Sequence, residues 1–161
     1  MLDHAYYHIG ILVHNLQEAI EHYSDLLDIR FAEPAQATVF IENPQTGQTE
    51  SVNLLAVYSR TRAPYLELLQ TTGNGIFSEK NAGGILYFGM WESDIDERIK
   101  RLEEQGIGID ALLRGAPDKS VYAIITAPDK MGVRMEYVKE LLRPVTEAWV
   151  LTGKYPFHNR S

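Results

Sequence analysis

Apolar and polar positions alternate along residues 5–13, "AYYHIGILV", placing Tyr6, His8 and Gly10 on one face of a strand and Tyr7, Ile9 and Ile11 on the other. The spacing then changes. Leu16, Ile20, Tyr23 and Leu27 recur at helical intervals, and Asn15 with Glu18 three residues on supplies an N-terminal cap. "TVFIENPQTGQTESVNLLAVYSR" reads as two strands around a turn built by Asn43-Pro44 and Thr46-Gly47. "PYLELLQ" is a further strand, with Tyr65, Glu67 and Leu69 on a shared face. Residues 71–84, rich in Gly, Asn and Thr, form a connection.

The pattern then restarts. "ILYFGMW" is a strand with Tyr87, Gly89 and Trp91 on one face. A helix follows with Ile95, Ile99 and Leu102 as its apolar positions, Ser93 as its cap and Gly106 as its end. "VYAIITAP" and "GVRMEYV" are later strands around a turn at residues 129–132, with Arg134, Glu136 and Val138 sharing a face. Sliding the first unit by 79 positions lays His8 on Tyr87, Gly10 on Gly89, Leu16 on Ile95, Ile20 on Ile99 and Tyr23 on Leu102. The chain is thus read as two βαβββ modules, residues 5–70 and 84–140, in one α+β domain. A module of this size can bury its sheet only against a partner, so the halves pack together. A tail, residues 141–161, follows, with a short helix expected over residues 146–151 and the last six residues loosely held.

Composition narrows the class. With 161 residues, roughly 70% of the unfolded surface can be buried, so no covalent staple is needed. The 45% apolar and 23% charged content fits a globular protein. The absence of cysteine removes disulfides, thiolate metal sites and a Cys nucleophile. A net charge of −7 with scattered basic residues argues against nucleic acid. No apolar run reaches the ~18 residues of a membrane helix, and the N-terminus does not read as a signal peptide, so a cytoplasmic location is expected.

Two carboxylates stand out, Glu67 in "YLELLQ" and Glu136 in "RMEYVK". A charge within an apolar strand is costly in a sealed core, so each faces water, a cation or a metal. On a solvated sheet face neither needs a special role, but both occupy the last strand of their module. His8 alone reads equally as a structural histidine, and His4, His14, His22 and His158 have no supporting pattern. Arg134 is placed either to pair with Glu136 or to grip an anionic substrate group. Arg60 and Arg62 border "PYLELLQ" and could meet phosphates, although exposed arginines near a turn are ordinary. No HExxH, P-loop, GxGxxG or GxSxG motif is present.

The run "HIGILVHNLQEAIEHYSDLL", then "LELL", "LYFGMWESDIDERIKRLEEQG" and "GVRMEYV" resembles the vicinal oxygen chelate superfamily over residues 5–140. That group includes glyoxalase I, methylmalonyl-CoA epimerase, extradiol dioxygenases and bleomycin-resistance proteins. The resemblance implies that the modules curl into an open mixed β-sheet cup. It implies a divalent metal (Zn, Mn, Fe, Ni, Co or Mg) held by His8, Glu67, Tyr87 and Glu136. The metal-dependent isomerases carry a His where this chain has Tyr87, so Tyr87 is a ligand, a substrate contact or the mark of a lost metal. Strand parity adds Tyr6, Tyr65, Trp91 and Arg134 to Tyr87 as substrate contacts. The middle-strand carboxylate of the epimerases falls nearest Asn53, which is not an acid. The function implied is metal-assisted isomerisation, epimerisation or lyase chemistry on a small 2-oxo or acyl-thioester substrate, with Glu136 or Glu67 moving a proton. The alternative is a metal-free, drug-sequestering protein of the bleomycin-resistance type. A homodimer is expected, because a cup's edges need covering.

Overall fold

A computed structural model describes residues 5–157. His4, His158 and the final four residues of the tail lie outside the described residues. The first module comprises β1 (Tyr6–Val13), α1 (Leu16–Leu27), β2 (Ala35–Glu42), β3 (Thr49–Tyr58) and β4 (Tyr65–Gln70). The second comprises β5 (Gly84–Glu92), α2 (Ile95–Glu104), β6 (Ile109–Arg114), β7 (Ala123–Thr126) and β8 (Met135–Lys139). The tail forms α3 (Arg143–Thr152).

Local chemistry sets the helix boundaries. Asn15 accepts the Glu18 N–H through its side chain at 3.1 Å and starts α1. Leu16 and Ala19 are buried on its inner face, whereas Leu27, expected on that face, is half exposed where the helix ends at the left-handed Asp28. The cap of α2 is Asp94 rather than Ser93: its carboxylate accepts the Glu97 N–H at 2.9 Å. Charge at the helix's positive end favours the acid over the hydroxyl. Gly106, at φ 68°, closes α2 as expected.

The sheet curls into the expected cup, and its ladder runs on round a closed ring in the order β1-β4-β3-β2-β6-β7-β8-β5. It is mixed: β1 with β4 and β5 with β8 are parallel, and the remaining pairs are antiparallel. The halves meet along β1–β5 and β2–β6. Inward-facing residues of the strands build the main core, and a smaller cluster of Ile95, Leu102, Ile109 and Ile124 seats α2 on the outside. The connection between modules also plugs the barrel. Ile76 and Phe77 are buried within it, and the Glu50 carboxylate accepts the Asn74 and Gly75 N–H groups at 3.0 and 2.9 Å.

Candidate metal centre and cavity

Three ionisable side chains from three strands meet inside the ring. His8 on β1 is fully buried, and Glu67 on β4 and Glu136 on β8 are nearly so. His8 Nε2 lies 2.9 Å from Glu136 Oε2 and 3.2 Å from Glu67 Oε2. Register explains the convergence. Gly10 pairs with Glu67 on one side of β1, and Gly89 pairs with Glu136 on the matching side of β5. Across the β1–β5 seam, His8 faces Gly89 and Gly10 faces Tyr87. Each glycine leaves room for the ring opposite: a Cβ at Gly89 would overlap the His8 imidazole, and one at Gly10 would overlap the Tyr87 ring.

The two modules thus present matching positions, one filled by an imidazole and one by a phenol. The Tyr87 hydroxyl donates to Glu67 Oε2 at 2.8 Å, so it holds a carboxylate. Burial pushes the Tyr87 hydroxyl well above its ordinary range, and the Glu136 and Glu67 charges push it further, which keeps it a neutral donor. Burial by itself would lower the His8 pKa. Attraction to Glu67, with hydrogen bonds to Glu136 and Glu67, overrides this and raises it to about 9. Burial raises the Glu136 pKa against the opposing pull of His8.

One imidazole nitrogen and two carboxylate oxygens, all within 4.8 Å of one another and all buried, form a donor set suited to a divalent ion. Among the described residues no side chain or carbonyl pairs with His8 Nδ1, the position at which a ligating histidine is usually supported. Shape holds the ring instead, through the space at Gly89 and edge-on contacts with Tyr58 and Tyr87 at 5.8 and 5.6 Å.

The glutamates open onto a cavity of about 210 Å³. Its walls include Tyr7, Leu54, Ala56, Tyr58, Leu69, Tyr87, Leu113, Tyr122 and Val138, with residues of the tail completing it. Burial raises the Tyr7, Tyr58 and Tyr122 hydroxyls, leaving them neutral donors as well.

Four expected substrate contacts lie elsewhere. A register shift between Tyr6 and His8 turns Tyr7 inward and leaves Tyr6 half exposed beside Phe88. Trp91 is buried behind Tyr7, stacked on it at 3.6 Å, and does not line the cavity. Tyr65 packs beyond Tyr58, their centroids 6.0 Å apart. Arg134 precedes β8 and binds Asp110 and the Thr126 carbonyl, in a polar groove that also contains Glu50 and Lys80. It neither pairs with Glu136 nor reaches the cavity. Asn53 is exposed on the outer face and accepts the Thr38 hydroxyl, while the inward residues Leu54 and Ala56 carry no acid. Of the tyrosines not anticipated, Tyr58 was within reach of alternation, since it shares the parity of Val52, Leu54 and Ala56. Tyr7 was hidden by the register shift, which leaves no mark in the sequence.

A family model described as "Glyoxalase/Bleomycin resistance protein/Dioxygenase superfamily" matches residues 7–122. Among solved structures, Streptomyces coelicolor methylmalonyl-CoA epimerase in complex with 2-nitronate-propionyl-CoA is similar at 22% identity and TM-score 0.55, over 84% of this chain and 94% of that one. Methylmalonyl-CoA epimerase from Mycobacterium tuberculosis is similar at 21% identity and TM-score 0.53, over 86% and 91%. A hypothetical protein from Bacillus halodurans C-125 is similar at 18% identity and TM-score 0.53, over 86% and 96%. No curated protein matches the chain. These structural likenesses concern the fold, and the matching family model spans most of the strands that bring His8, Glu67 and Tyr87 together. The chain belongs to the Glyoxalase/Bleomycin resistance protein/Dioxygenase superfamily.

Proposed function

We infer that this protein is a metal-assisted enzyme that moves a proton on the carbon beside a carbonyl, in an isomerase or epimerase reaction on a small oxygenated substrate. The observation that carries this reading is the buried His8–Glu67–Glu136 donor set opening onto a cavity with mostly apolar walls. His8, Glu67 and Glu136 would hold a divalent ion. When bound, such an ion polarises vicinal substrate oxygens and makes the neighbouring C–H more acidic. Glu136, whose carboxylate faces the cavity, takes that proton and returns it. Tyr87 keeps Glu67 oriented through its O–H donation. The hydroxyls of Tyr7, Tyr58 and Tyr122 are neutral donors for a substrate oxygen, and the apolar wall excludes water.

The edge-on rings around the cavity favour a second reading, a metal-free binder of an aromatic compound. Elemental analysis after exposure to each candidate ion, with NMR of hydrogen–deuterium exchange beside the carbonyl of small 2-oxo compounds and acyl thioesters, separates the two. Stoichiometric metal that is lost in His8→Ala and Glu136→Gln, together with enzyme-dependent exchange, supports the enzyme. No metal uptake and no exchange, with aromatic ligands bound equally by wild type and both variants, would leave the binder.

A further inference from the structure

The segment after β8 adds a wall to the site, which keeps a mouth to solvent. Leu142, Val145, Thr146, Trp149, Tyr155 and Phe157 all line the cavity. They lie beyond residues 7–122, the part of the chain that the family model matches. The wall is fastened at several points. The Trp149 indole N–H donates to the Glu33 carbonyl at 2.9 Å. The Arg60 guanidinium donates to the Val150 and Leu151 carbonyls at 3.1 and 2.8 Å, and the Glu33 N–H donates to the Gly153 carbonyl at 2.8 Å. Edge-on contacts run from His8 to Tyr58 and from Tyr58 to Trp149, with centroids 5.8 and 5.2 Å apart. Trp149 is itself buried, so it is built into the compartment.

Size and charge then define what fits. A volume of about 210 Å³ is the liquid share of roughly seven waters and lies below the ~300 Å³ at which drug-sized pockets begin. Among the described residues, Glu67 and Glu136 are the acids in the lining, and no Lys or Arg stands there. A divalent ion held by His8, Glu67 and Glu136 would offset the carboxylate of a small 2-oxo acid, whereas the phosphates at the far end of a coenzyme tail would lie beyond its reach and meet no cation of the described lining. Arg60, the nearest candidate for meeting phosphates, is occupied by the carbonyls that end α3.

We propose that the C-terminal segment sets the substrate class: a free, compact 2-oxo compound with an apolar or aromatic body of about one ring, and not a coenzyme A thioester. Trp149 and Val145 set the size limit. The oxygen-pair part of this assignment rests on the metal-assisted reading above, whereas the size limit rests on packing alone.

Calorimetry on the protein loaded with a divalent ion tests it with three probes: benzoylformate, with one ring; 2-naphthylglyoxylate, with two; and propionyl-CoA. Benzoylformate binds wild type, the two-ring compound binds roughly tenfold or more weakly, and propionyl-CoA gives no binding. Trp149→Ala admits the two-ring compound. Val145→Ala, a milder change at a half-buried position, does so in part and guards against a folding failure in the first variant. The proposal is overturned if propionyl-CoA binds as tightly as benzoylformate, if wild type takes the two-ring compound equally well, if benzoylformate fails to bind, or if neither substitution changes the size preference. Metal content and deuterium exchange into 3-methyl-2-oxobutanoate and propionyl-CoA, measured on the same sample, keep the two readings apart. Metal with exchange into propionyl-CoA alone sinks the size limit and keeps the enzyme. Size-selective binding to the metal-loaded protein without exchange keeps the wall and sinks the enzyme.

Discussion

Gly89 has no side chain because His8 occupies the space one would need. A Cβ there meets the imidazole ring, and neither the buried ring nor the strand backbone can yield cheaply. Gly89→Ala is therefore expected to cost about 1–3 kcal/mol of stability and to lose metal binding, read by denaturant unfolding and elemental analysis. Gly10→Ala is the matched control. It strikes the Tyr87 ring instead, so it should destabilise by a similar amount and weaken metal binding less than Gly89→Ala does, because it disturbs the brace on Glu67 and not a ligand itself. Retention of full metal content by Gly89→Ala would mean that His8 is not held as described. At this scale the sequence was informative where the repeat reinforced alternation. His8 sits opposite Gly89 of the other half, while Glu67 and Glu136 are each registered against a glycine of their own half, Gly10 and Gly89. Tyr6 and Arg134 were misplaced because parity holds only within an unbroken ladder. A register shift intervenes after Tyr6, and Arg134 lies one residue before β8 begins.

At the scale of elements, α3 depends on groups contributed from far along the chain. Its last turn leaves carbonyls without partners, and Arg60 satisfies two of them while placing a positive charge at the negative end of the helix. Arg60→Ala should lower stability by about 1 kcal/mol and speed amide exchange in α3 well before the barrel strands, measured by hydrogen-exchange mass spectrometry. Unchanged exchange in α3 would show that the Trp149 and Glu33 contacts suffice. The helix itself was legible from residues 146–151, although it begins earlier, at Arg143. Its role was not, because nothing local says that an amphipathic tail returns to cover a site whose first contributor, β1, lies at the far end of the chain. The strand–helix openings were the clearest elements, with α1 capped as expected. β6 carried no residues of its own in the sequence reading and was implied only by the symmetry of the modules.

For the whole molecule, the buried cluster couples stability to pH. In the metal-free protein the folded-state pKa of His8, about 9, lies above its ordinary 6.5. The contribution is fully present below pH 6.5, falls as pH rises toward 9 and is lost above it; its size is at most roughly 3 kcal/mol. Glu136, also raised, acts in the same direction at lower pH. Metal-free protein should therefore lose stability between about pH 6.5 and 9 in denaturant titrations, and His8→Gln should flatten that slope; an unchanged slope in the variant would assign the effect elsewhere. The fold class and the two-module plan were readable from periodicity, whereas closure of the ring through β2 and β6 was not, since edge pairing between distant strands leaves no local signature. The seam where His8 faces Gly89 and Tyr87 faces Gly10 carries one more consequence. Two separate copies of a single module, assembled about a symmetry axis, would be forced to offer the same residue twice. Covalent joining of the halves lifts that constraint, so one half can offer a donor to a cation while its twin supplies the brace for a neighbouring acid, a division of labour closed to two identical copies.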